Sequence, residues 1–94
     1  MRHSVLLVTL LLVPAALGAQ TVQNATLRRA QQAYENLDYR QALALGQAAQ
    51  RERLNGFDRA RAYELLALTY SAMDSILKAV GAFKEVILLE PERG

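Results

Sequence analysis

Apolar residues recur at three- and four-residue steps from Val22 almost to the end of the chain. This is the periodicity of helices that bury one face, and strand-like alternation of apolar and polar residues is absent. Polar turns divide the pattern into four predicted helices, over about 22–36, 38–54, 58–73 and 75–90. Short turns favour antiparallel neighbours, so the predicted fold class is all-α, with two antiparallel helical hairpins.

Residues typical of helix ends mark these boundaries. Asp38 is the predicted N-cap of the second helix, with Gln41 three residues later as its capping-box partner. Asn55-Gly56 is predicted to stop that helix in a left-handed conformation. Asp58 is the predicted N-cap of the third helix, and Pro91 ends the fourth.

The chain opens with "MRHSVLLVTLLLVPAALGAQ". A basic start, an apolar run and a tail of small residues are the layout of a secretory signal peptide. A membrane anchor needs about 20 apolar residues, and Pro14 interrupts this run early. We therefore expect a signal peptide over 1–19, cleaved after Gly18 or Ala19, and a domain over 20–94. The product is expected to be exported, periplasmic or extracellular, with no membrane association after cleavage.

Charge and composition exclude several classes of function. Of the 11 Lys and Arg residues one, Arg2, precedes residue 20, which leaves ten against nine Asp and Glu, a net charge of +1. Nucleic-acid binding requires a dense basic face, and is not expected. The chain has no cysteine, and its one histidine is His3. Without these side chains the usual nucleophile–base pairs and transition-metal sites are absent, so we expect no enzyme, cofactor or metal.

The two predicted hairpins align with each other at a shift of 37 residues, which places Ala42 on Ala79 and Ala30 on Ala67. In the second copy, Tyr63-x2-Leu66-Ala67-x2-Tyr70, Ala79-x3-Phe83 and Pro91 resemble the tetratricopeptide repeat (TPR) family. The first copy keeps Ala30, Ala42 and Ala49 but has Gly46 where the family has Phe. The resemblance implies two stacked TPR-like repeats, over about 23–56 and 60–93.

In that family the first helix of each repeat lines a groove that binds peptides or partner helices. The resemblance therefore implies groove positions on the first and third helices. They are Asn24, Leu27, Gln31 and Tyr34, with Arg61, Glu64, Leu68 and Ser71. Leu27 and Glu64 replace the Lys or amide of TPR grooves that grip a C-terminal carboxylate, so that ligand is not predicted.

The fourth helix has more large apolar residues than one buried face needs. The repeat pattern assigns Ile76, Ala79, Phe83 and Val86 to the interior of the hairpin. A second stripe, Leu77, Val80, Ile87 and Leu88, is predicted to be an interface. Three alternatives were open for this stripe: an interface with a second copy or a partner, a contact with further repeats of a longer solenoid, or burial within a closed four-helix bundle.

The predicted function is non-enzymatic protein–protein interaction by an exported protein, which binds a peptide or partner through the groove and the last helix. The alternative is a structural homo-oligomer, or a truncated piece of a longer TPR solenoid, with no separate ligand.

Overall fold

The computed structural model describes residues 20–93, and the predicted signal peptide lies outside them. The described chain contains four α-helices and no strand, which confirms the all-α class. The helices are α1 (Ala25–Glu35), α2 (Tyr39–Gln50), α3 (Gly56–Ala72) and α4 (Ile76–Leu89), followed by a 3₁₀ turn at Pro91–Arg93.

Polar residues cap the starts of the helices, and one predicted boundary is corrected. Asp38 caps α2 and accepts a hydrogen bond from the Gln41 N–H at 3.3 Å, as predicted. The predicted left-handed stop at Asn55-Gly56 is wrong. Asn55 has φ −72° and is the N-cap of α3, where its side-chain oxygen accepts from the Asp58 N–H at 2.7 Å. Asparagine suits both kinds of helix end, so the sequence did not distinguish them.

Both hairpin turns have the same backbone geometry. Leu37 and Asp74 adopt positive φ values of 64° and 59°. The next residue in each turn donates its N–H back to a helical carbonyl five residues earlier, at 2.9 Å from Asp38 and 2.8 Å from Ser75. These are left-handed C-terminal caps. The turns are 37 residues apart, the shift predicted from the sequence.

The helices pack in chain order. α1 pairs with α2 and α3 pairs with α4, while α2 and α1 both lie against α3. Within the described chain, α4 contacts α3 and the 3₁₀ turn, and none of its Cα atoms lies within 8 Å of a Cα atom of the helices in the first hairpin. The structure therefore does not adopt the closed four-helix bundle, and α4 lies at one end of the stack.

Small residues form most of the core. Fully buried alanines occur on all of the first three helices, namely Ala30, Ala42, Ala49, Ala60, Ala62 and Ala67. Gly46 lies where α2 crosses α3, and a Cβ added there would be 3.0 Å from Leu66 Cδ2. Side chains this small allow helix backbones to approach closely, and Leu27, Leu65 and Leu66 fill the remaining space.

The buried face of α4 differs from the prediction. Ala79 and Val86 are buried as expected, but Ala82 is the third buried residue of this helix. Ile76 is 58% exposed and Phe83 is 39% exposed, so their assignment to the hairpin interior was wrong. α4 packs on α3 through residues 79, 82 and 86, because alanine permits the two helices to approach closely. Ile76 and Phe83 therefore lie at the edge of the buried face.

Two glycines inside helices provide a matched pair of substitutions. We expect Gly81→Ala to raise the free energy of unfolding by about 0.5–1 kcal/mol, because helix propensity improves and a Cβ there meets nothing within 4 Å. Gly46→Ala gains the same propensity but presses on the buried Leu66, at a cost of about 1–3 kcal/mol. Urea unfolding should rank Gly81→Ala above the wild type and Gly46→Ala below Gly81→Ala. Equal effects would contradict the close contact of α2 with α3.

Candidate interaction surfaces

A hollow of about 220 Å³ lies between α1 and α3. Five of the eight predicted groove residues line it, and two neighbours complete the wall. The lining residues are Gln31, Tyr34, Glu35, Arg61, Glu64, Leu65 and Leu68. Because α1 and α3 pack side by side, residues 26 or more positions apart in sequence form one surface.

The other three predicted groove residues do not line this hollow. Leu27 is fully buried in the core. Asn24 is the N-cap of α1, where its side-chain oxygen accepts from the Leu27 N–H at 2.8 Å. Ser71 is exposed in the last turn of α3. Repeat alignment placed these residues on the correct helices but did not fix how each helix is rotated.

An ion-pair cluster occupies one wall of the hollow. The Arg61 guanidinium donates to Glu90, the C-cap of α4, and lies 3.2 Å from Glu64. It also stacks 4.9 Å from the centre of the Phe57 ring. This cluster ties the end of α4 to the start of α3. The residues that line the hollow include two carboxylates, Glu35 and Glu64, and one guanidinium, Arg61, so the lining has a negative formal charge.

A second surface is the outer side of α4, which we call the α4 face. It consists of Ile76, Leu77, Val80, Phe83, Ile87 and Leu88. All six are exposed, with Leu77 at 89% and Leu88 at 73%. The four predicted interface residues belong to this face, and Lys84 is the ionisable residue that lies among them in the helical projection.

Sequence reasoning missed the role of Asp58. It was expected as an N-cap, but it lies inside the first turn of α3 and is only 2% exposed. Its carboxylate accepts from the backbone N–H groups of Gln23, at 3.1 Å, and Asn24, at 2.8 Å. This contact anchors the segment before α1 and holds Val22 in the core. The sequence signal for this role was an acidic residue three positions after Asn55, the N-cap. Its role as an acceptor depends on the backbone of Asn24, which is 34 residues away in sequence.

Glu52 makes a second anchor beside it. Its two carboxylate oxygens accept from the Asn24 amide at 2.9 Å and from the Thr26 hydroxyl at 2.7 Å. These hydrogen bonds lower the pKa of Glu52 below its ordinary value of 4.5. The start of α1 is therefore fixed to the loop between α2 and α3. Both polar atoms of the Asn24 side chain form hydrogen bonds within the chain, one with Glu52 and one with Leu27.

The described residues contain no group of three or more acidic, histidine or cysteine side chains that could hold a metal ion. None of the described helices is long and apolar enough to cross a membrane. No family model, no curated protein and no solved structure matches the chain.

Removal of the Asp58 carboxylate tests the first anchor. We expect Asp58→Ala to lower the free energy of unfolding by about 2–4 kcal/mol, because two backbone N–H groups lose a charged acceptor in a buried place. Asp38→Ala is the matched control: it removes one exposed cap, at a cost of about 1 kcal/mol. Both are measured by urea unfolding followed by circular dichroism. Equal losses would contradict the anchoring role of Asp58.

Glu52 predicts a pH dependence of stability. Its pKa is lower in the folded chain than in the unfolded chain, so its contribution is present above the unfolded value and is lost as pH falls through the folded value. Glu52→Gln should therefore unfold more easily than the wild type at pH 7, and this gap should narrow below pH 4.5. A gap that keeps its size as pH falls would contradict the role of these hydrogen bonds.

Proposed function

We propose that this protein is a non-enzymatic protein–protein interaction module of the TPR type, carried on an exported chain. The observation that carries the proposal is the α4 face. It presents six large apolar side chains to solvent on one helix, and contiguous apolar surface of this kind is typical of interaction sites.

The apolar surface of the α4 face is large relative to the stability of a small domain. Each large aliphatic side chain that leaves water contributes about 1.5–3 kcal/mol. The four predicted interface residues are 45–89% exposed and thus represent roughly 4–8 kcal/mol, against a total of about 5–15 kcal/mol for a folded domain. A surface of this size is expected to be covered when the protein functions.

Three features support the TPR interpretation. The hairpins repeat at 37 residues with equivalent left-handed turns. They pack in chain order, as solenoid repeats do. Ala67 and Ala79, the small residues of the repeat pattern, are buried. Phe83 departs from the pattern, which assigns this residue to the interior of the hairpin, because it is 39% exposed.

The hollow between α1 and α3 is the second proposed surface. Its carboxylates favour a partner segment with Lys or Arg side chains, and Tyr34 and Leu68 offer contact to the aliphatic stems. One observation favours the alternative, a homo-oligomer with no separate ligand: Arg61, the cation of the hollow, is already paired within the chain.

Export is proposed from the first 19 residues alone. Expression of the full gene should yield a mature chain that begins at Ala19 or Gln20, as determined by N-terminal sequencing. A product that retains Met1 and the apolar run would contradict export by cleavage.

Site-specific photo-crosslinking tests the interaction module. A photoreactive amino acid is placed at Leu77 on the α4 face, at Leu68 in the hollow, or at the exposed Arg40 of α2 as the control, in the full chain in producing cells. We expect a discrete protein adduct at Leu77, an adduct at Leu68 if the hollow binds a partner, and none at Arg40. The absence of adducts at both Leu77 and Leu68 would overturn the proposed function.

A further inference from the structure

We infer that the α4 face pairs with the same face of a second copy, the two α4 helices lying antiparallel about a two-fold axis. This inference rests on the proposed function and names the occupant of one of its surfaces. It follows from the order, size and charge of the side chains on the face.

The spacing of the central residues is symmetric. Ile76, Val80, Phe83 and Ile87 follow one another by four, three and four positions, so they form one stripe along α4. A two-fold axis between residues 81 and 82 places Ile76 level with Ile87 of the other copy, and Val80 level with Phe83. A two-fold interface requires this self-complementarity, in which each contact occurs twice.

The side-chain sizes fit the antiparallel arrangement. It sets the smaller Val80 against the larger Phe83, and alternation of small and large residues fills an interface evenly. A parallel pair would instead oppose Phe83 to Phe83 and Val80 to Val80. The flanking Leu77 would lie about 3 Å along the axis from Leu88 of the other copy, from the helical rise of 1.5 Å per residue. Leu77 and Leu88 then lie beside the central stripe, at the edge of the pairing.

The charges on α4 are compatible with this pairing. Lys78 and Glu85 lie on the side of the helix away from the face. Lys84 borders the stripe, and the two symmetry-related Lys84 residues would be about 7.5 Å apart along the axis. Each ammonium group remains at the rim, where its stem can cover Leu77 of the other copy. Antiparallel helix dipoles also attract one another.

Access and area set the strength of the pairing. α4 packs on α3 alone among the helices, so its outer side is open to a second copy. The helix has 14 residues and is about 21 Å long. A standard interface buries about 800 Å² and about 20–30 residues on each side. The 14 residues of α4 are fewer than this. The dimer should therefore be weak, with a dissociation constant on the order of micromolar.

The first test is the solution mass of the protein purified after expression of the full gene, measured by light scattering over a concentration series. We expect the mass to rise to that of a dimer. Val80→Glu should weaken association at least about 100-fold, because it places a charge at the centre of the stripe. Lys78→Glu changes a charge on the other side of α4 and should leave association unchanged. Circular dichroism checks that both variants keep their helices.

The second test fixes the register. The chain has no cysteine. In the double variant Ile76→Cys/Ile87→Cys, any disulfide can therefore involve only these two positions. Within one helix they are about 16 Å apart and cannot join. Trypsin separates them, since Lys78 and Lys84 lie between. We expect a disulfide between residue 76 of one copy and residue 87 of the other, and links of 76 to 76 with 87 to 87 would overturn the antiparallel pairing.

The outcomes separate this inference from the proposed function. A wild-type protein that stays monomeric at every concentration overturns the second copy as occupant. If Leu77 then crosslinks to a different protein, the interaction module stands with another partner. If the protein is monomeric and Leu77 and Leu68 give no adduct, both proposals fail.

Discussion

Close contact between helices through alanine and glycine is the constraint on which the rest of this structure depends. α2 and α3 meet at Gly46, where even a methyl group would press on Leu66. α4 rests on α3 through Ala79, Ala82 and Val86. Because these contacts use small side chains, the larger apolar residues of α4 are directed to its outer side. The exposed α4 face is thus a consequence of how tightly the hairpin closes.

The two polar anchors complete a core that has little apolar bulk. Asp58 and Glu52 bind the residues around Asn24 from two different elements, α3 and the loop before it. Together they fix the segment that leads into α1 and keep Val22 buried. A chain of this size without disulfides has few other means to restrain its ends. At the other end, Arg61 and Glu90 hold the end of α4 against α3 in the same way.

The two candidate surfaces differ in physical character. The hollow between α1 and α3 is small, polar and negatively charged, and its one arginine is engaged within the chain. The α4 face is extended and apolar, with a single lysine, Lys84, among its side chains. Interfaces gain most of their free energy from a few well-buried apolar side chains, while charges set orientation and selectivity. On this basis we propose the α4 face as the source of affinity and the hollow as the source of selectivity for a partner.

Hydrophobic periodicity and turn residues were enough to predict four helices, the cap at Asp38 and the 37-residue spacing of the two hairpin turns, because these depend on local backbone preferences. Five of the residues predicted for a groove line one hollow, and their role in binding stays a prediction. The sequence did not determine the rotation of each helix, which buried Leu27 and exposed Phe83, or the role of Asp58. These outcomes depend on which atoms meet across helices distant in sequence. Packing between helices, which periodicity alone does not specify, decided them.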